Sequence, residues 1–177
     1  MLKNLLIFSV SFLLLISEGI ALDLLPASLT SSDTLIVPHW VLMFLILIAV
    51  LYDTDETFFS IIYGIVFGLL IDIVYTDVLG VYMFVYPFAL YIAHLLKRLL
   101  QTNIHMTILI ATISMIVVEV LLLFIYSVVG IVETTATSFI VKRLLPTLLA
   151  NILFLIPLYL FSVNILRSWN KEQSEKK

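Results

Sequence analysis

Apolar residues run through this chain in six long blocks, at about residues 5–25, 36–52, 58–75, 78–96, 104–128 and 144–166. Short polar stretches separate them. Each block has the length needed to carry a helix across roughly 30 Å of hydrocarbon at about 1.5 Å per residue. With no water in the bilayer core, a helix is the form that satisfies the backbone there. The pattern predicts an all-α integral membrane protein: one six-helix transmembrane domain over residues 1–166, followed by a charged tail over 167–177. The first block follows a lone Lys3 and continues past Glu18 without a small-residue cleavage signature, so it reads as a retained span rather than a leader.

The third and fourth blocks form the centre of this scheme. Ser60, Gly64, Gly68 and Asp72 recur every fourth residue and share one helix face. Small residues at that spacing let helices approach closely in a membrane, either within the chain or against a partner. Thr76-Asp77 breaks the run, and Gly80 supplies the permissive backbone to start the next helix, giving an antiparallel hairpin. Ala89 and Ala93 offer a second small face, and Pro87 should kink that helix or loosen its hydrogen-bond ladder. Pro38 is expected in the first turn of the second helix, with His39 and Trp40 at the membrane interface. Asp53 and Glu56 have capping-box spacing for the third helix, with Asp55 or Thr54 as alternative caps.

Composition reinforces the class. The chain is 63% hydrophobic and 12% charged over 177 residues, with a mean hydropathy of +1.22, whereas a soluble domain carries roughly a quarter charged residues. There is no cysteine and the net charge is −3, which leaves no disulfide, no thiolate metal site and no basic footprint for nucleic acid. No nucleotide-binding, hydrolase or metalloprotease motif is present. His39, His94 and His105 fall at different span ends, so no metal site unites them. Neither a cofactor nor a metal is expected.

Charge also orients the bundle. With the N-terminus inside, Lys3, Lys97, Arg98, Arg167, Lys171, Lys176 and Lys177 are cytoplasmic, and Lys142 and Arg143 lie outside. That predicts both termini inside. Within the spans, Asp72, Glu119 and Asn151 are the polar residues of interest, since an intramembrane ionisable group must find a partner or water. Lys142 or Arg143 is a candidate partner for Asp72 or Glu119; the alternative is that both cations snorkel to lipid phosphates. Glu18, nearer a span end, is expected to reach water.

The segment GIVFGLLIDIVYTDVLGVYMFVYPFALYI resembles the central signature of the MreD family of bacterial rod shape-determining membrane proteins. The matching positions are Gly64, Gly68, Leu69, Leu70, Asp72, Leu79, Gly80 and Tyr91. A second match lies in the last block, at Leu145, Pro146, Asn151 and Tyr159. The resemblance implies a non-enzymatic scaffold of the cell-elongation and peptidoglycan-synthesis complex in the bacterial cytoplasmic membrane. It implies MreC as partner, together with MreB, RodA and a class B penicillin-binding protein. It also implies a fold like the substrate-binding subunit of energy-coupling-factor transporters. That likeness sets up the competing expectation, a small-molecule-binding transporter subunit with Asp72, Glu119 and Asn151 around a midplane cavity.

Overall fold

A computed structural model describes residues 2–24, 34–100 and 103–175. The polar loop expected from Pro26, most of which precedes Thr34, lies outside the described residues, as do Gln101, Thr102, Lys176 and Lys177. The described chain is all-helical. Helix α1 spans Leu2–Leu24, α2 Trp40–Leu47 with a π-helical continuation Ile48–Tyr52, α3 Phe59–Tyr75, α4 Val81–Leu99 and α5 Ile104–Val128. Helix α6 runs unbroken through Ala136–Phe139, a π-turn Ile140–Leu144, and Leu145–Ser174.

α2 is the core of the bundle. Its sequence is apolar on every side, and every residue from Val41 to Tyr52 is buried. A helix with no polar face must be enclosed by others. Thirteen residues reach only about 20 Å at 1.5 Å per residue, too short to cross a bilayer. The chain instead enters as a non-helical segment over Thr34–His39. The expected helical start near Ile36 is therefore corrected: α2 begins at Trp40, and Pro38 lies ahead of it rather than in its first turn. Helices α1, α5 and α6 are long and apolar enough to span a membrane; α2 and α3 are shorter apolar helices.

α3 and α4 form the most extensive pair, and glycine explains why. A Cβ on Gly68 would lie 2.7 Å from the Tyr82 carbonyl carbon and 2.8 Å from Met83 Cα. At Gly64 it would meet Leu90 at 2.6 Å and the Pro87 nitrogen at 3.3 Å. Dispersion contacts at such backbone separations replace the hydrophobic drive that lipid does not supply. α4 continues through Pro87 as one helix. α5 ends in a Schellman turn: Gly130 adopts φ +78, and the Ile131 and Gly130 N–H groups donate to Tyr126 and Ser127 carbonyls. The charged tail, set apart from the last span in the sequence, instead continues its helix to Ser174. It is tied down by an ion pair between Lys3 and Glu172 at 2.5 Å and by Asn170 Nδ2 donating to the Tyr52 carbonyl at 2.9 Å.

Candidate functional site

Burying a short helix leaves its end groups without water, and each must find a protein partner. The first turn of α2 finds its acceptors on other helices. Glu18 of α1 accepts from the Val41 N–H at 2.7 Å. Asn151 of α6 accepts from the His39 N–H at 2.7 Å and donates to the Val37 carbonyl at 2.8 Å. Thr147, one turn earlier on α6, accepts from the Val37 N–H at 3.2 Å and donates to the Leu35 carbonyl at 3.3 Å. At the opposite end, Lys97 of α4 donates to the Ala49 carbonyl at 3.2 Å and to the Asp53 carbonyl. The Lys97 ammonium at the C-terminus also matches the helix dipole.

His39 joins this backbone scaffold to a charged line. Its Nδ1 lies 2.9 Å from the Tyr86 hydroxyl and its Nε2 3.0 Å from Glu119 Oε1. The other Glu119 oxygen accepts from Arg143 Nε at 2.7 Å. Glu119 is fully buried, whereas Arg143 is 23% exposed. Of the pairings open to Lys142 and Arg143, the structure contains Arg143 with Glu119. His39 is 1% exposed, so it is an interior hydrogen-bonder rather than an interfacial one. Glu18 is 5% exposed and does not reach bulk water as expected.

Asp72 does different work. It receives backbone N–H bonds from Gly80 at 2.9 Å, Tyr82 at 2.9 Å and Met83 at 3.0 Å. It therefore caps α4 from the last turn of α3, while Gly80 at φ +95 makes the corner between them. Asp53 plays the same part for α3. It accepts from the Phe59 N–H at 3.1 Å and the Ser60 N–H at 3.0 Å, and from the Ser60 hydroxyl at 2.5 Å. Burial pushes its carboxyl up to about 6, against the lowering effect of the Ser60 bonds and Lys97.

The small-residue positions thus serve the chain's own packing. Ser60, Gly64, Gly68, Ala89 and Ala93 are all buried, and the Gly64/Gly68 face is filled by α4, leaving no surface there for a partner. Glu119 and Asn151 meet at His39, but Asp72 is committed elsewhere, so the three do not line one cavity. A chamber of about 50 Å³ does lie between Glu18, His39, Tyr82 and Tyr86. It has room for water, far below the several hundred Å³ of a small-molecule pocket. Among the described residues no cluster of His, Asp and Glu is placed to hold a metal.

Sequence spacing did not point to Glu18, His39, Tyr86, Lys97 or Asn170 as members of these networks. The one available signal was the unbroken apolar stretch of α2, which marks a helix needing caps from elsewhere.

Comparison with known proteins gives a consistent result. The family described as "rod shape-determining protein MreD" matches residues 3–169. A relative named Rod shape-determining protein MreD from Bacillus subtilis (strain 168) is 29% identical over 174 residues, covering 96% of this chain and 99% of that protein. No solved structure matches.

Proposed function

The chain belongs to the MreD family of rod shape-determining proteins, and from that premise we propose that it is a non-enzymatic scaffold subunit of the cell-elongation machinery, docking MreC in the membrane. The observation that carries this reading is where the buried acids go. Glu18, Asp53, Asp72 and Glu119 are all engaged by backbone termini or by side chains of the same chain. Such groups stiffen a bundle, and a stiff bundle suits a docking platform. The same commitment argues against a transporter-like binding subunit, which needs polar groups turned into a roomy cavity.

The partner surface lies on lipid-facing sides that the bundle leaves uncovered, chiefly on α1 and α6, where Leu13, Leu153 and Phe161 are exposed. MreC is the first occupant, with RodA, a class B penicillin-binding protein and MreB as further members of the assembly. The protein sits in the bacterial cytoplasmic membrane with six spans and both termini inside. The clustering of Lys3, Lys97 and Lys171 at one end of the bundle, through Glu172, Asp53 and Asn170, supports that orientation.

The test is complementation of a rod-shaped bacterium depleted of its own MreD, with a photo-crosslinking residue at Phe161 or Leu13. Restored rods and crosslinks to MreC are expected. Rounded cells despite good membrane levels, with no crosslink from any lipid-facing position, would sink the scaffold reading.

A further inference from the structure

Helices α1 and α6 both pack on α2 and much less on each other, so a seam stays open between them. Its floor is Phe44 of α2, and its walls include Val10, Leu158, Phe161 and Ile165. Among the described residues this groove of about 370 Å³ is apolar apart from Ser162. At the end of the bundle that holds Lys3 it adjoins a second hollow of about 400 Å³, where Lys3, Asn4, Glu172 and Gln173 supply polar walls. Leu6 and Trp169 line both. Each hollow is within the size range of ligand pockets. We propose that the two together bind one phospholipid with a primary-amine headgroup, its chain in the groove and its headgroup against the Lys3–Glu172 pair.

Depth sets the class of ligand. A tryptophan in a spanning helix sits at headgroup level, and Trp169 stands where the polar hollow gives way to the apolar groove. That change of walls follows a lipid from headgroup to chain. Charge then selects the headgroup. Lys3 and Glu172 are joined at 2.5 Å, and Lys3 Nζ lies 5.8 Å from the centre of the Trp169 ring. A purely anionic headgroup gains little from such a pair, because it meets Glu172 as well as Lys3. The pair presents both signs side by side, and one bond exhausts neither group: an ammonium has three N–H donors and a carboxylate two acceptor oxygens. A zwitterionic headgroup matches it, phosphate towards Lys3 and cation towards Glu172. Further acceptors favour a cation that has N–H groups to donate. Asn4 and Gln173 bring side-chain carbonyl oxygens to the same walls, and Gln173 Oε1 is a buried acceptor with no hydrogen-bond partner among the described residues. A primary ammonium can satisfy them; a quaternary one has nothing to donate.

Lipid retention is read on the purified full chain without partners, so the result stands apart from the scaffold reading. The protein is placed in nanodiscs of phosphatidylethanolamine, phosphatidylglycerol and phosphatidylcholine, matched in acyl chains and in equal amounts. Native mass spectrometry then identifies the lipids that stay bound. Phosphatidylethanolamine should be retained about three- to tenfold above the other two, the size of one charge-assisted contact. Glu172→Gln should erase its advantage over phosphatidylglycerol, and Lys3→Gln should weaken its retention by a similar factor. Ser162→Phe, which fills the groove without changing charge, should also lower it. Leu149→Phe, on an exposed face of α6 outside the groove, should not. Equal retention of the three lipids by the wild-type protein, or a preference for phosphatidylglycerol or phosphatidylcholine, overturns the proposal whatever the variants do. So does wild-type retention by Glu172→Gln and Ser162→Phe proteins that melt normally.

Discussion

Glu18 and Lys97 hold opposite ends of a helix to which neither belongs. Glu18 takes the Val41 N–H at the start of α2, and Lys97 takes the Ala49 and Asp53 carbonyls at its close. The pair replaces the water that a buried helix terminus lacks. Glu18→Ala should cost about 1–3 kcal/mol, the penalty for stranding a buried donor. Glu18→Gln keeps an acceptor and should cost less. Melting midpoints in detergent check the order; equal losses would mean the negative charge, rather than the acceptor, is what α2 needs.

Arg143 and Glu119 should behave as a unit. Arg143→Ala leaves Glu119 buried with His39 as its remaining side-chain partner, a loss of about 3–5 kcal/mol for a broken buried pair. Adding Glu119→Gln should recover part of that stability. A double-mutant cycle should show coupling of about 0.5–3 kcal/mol. Strict additivity would count against the pair.

Gly68→Ala should damage the hairpin itself rather than a partner contact alone. The atoms in the way are the Tyr82 carbonyl carbon and Met83 Cα, at 2.7 and 2.8 Å, and backbone cannot swing aside. Overpacking of this kind costs about 1–3 kcal/mol. Gly80→Ala meets nothing within 4 Å, yet its φ of +95 imposes about 1–2 kcal/mol of left-handed strain. Both should lower the melting midpoint, and a wild-type midpoint for Gly68→Ala would refute the packing account.

Asp53, between α2 and α3, should make stability depend on pH. Its carboxyl is raised by burial from 3.8 to about 6, so the folded state holds the proton more tightly than the unfolded chain. Its contribution is full below about pH 4, falls as pH rises towards 6, and is lost above that. The melting midpoint should therefore be higher at pH 5 than at pH 7. Asp53→Asn should narrow that difference; an unchanged difference would assign the effect to another group.

Six helices and the α3–α4 corner were legible in the sequence because their signals are local. Apolar block length marks the helices, and Gly64, Gly68, Asp72 and Gly80 lie within one hairpin. The Arg143–Glu119 pair was among the expected pairings, but the part of His39 was not legible, because Asn151 and Glu119 are distant in sequence and no periodicity links them. Pro38 and His39 were misplaced for a related reason. Hydropathy does not distinguish a helical entry from an extended one when distant side chains satisfy the backbone. The run of α6 beyond Leu166 was hidden likewise, since Lys3 and Tyr52, which hold it, are more than a hundred residues away in sequence.

The dependence of α2 on remote caps also sets an order in time. The His39 N–H waits for Asn151, 112 residues later, and at about 5–20 residues per second of synthesis that is roughly 6–22 s. Until the last helix emerges from the ribosome, the entry to α2 lacks those polar partners. The newborn protein thus completes its centre last, and a chain cut before Asn151 would be left for membrane proteases to clear.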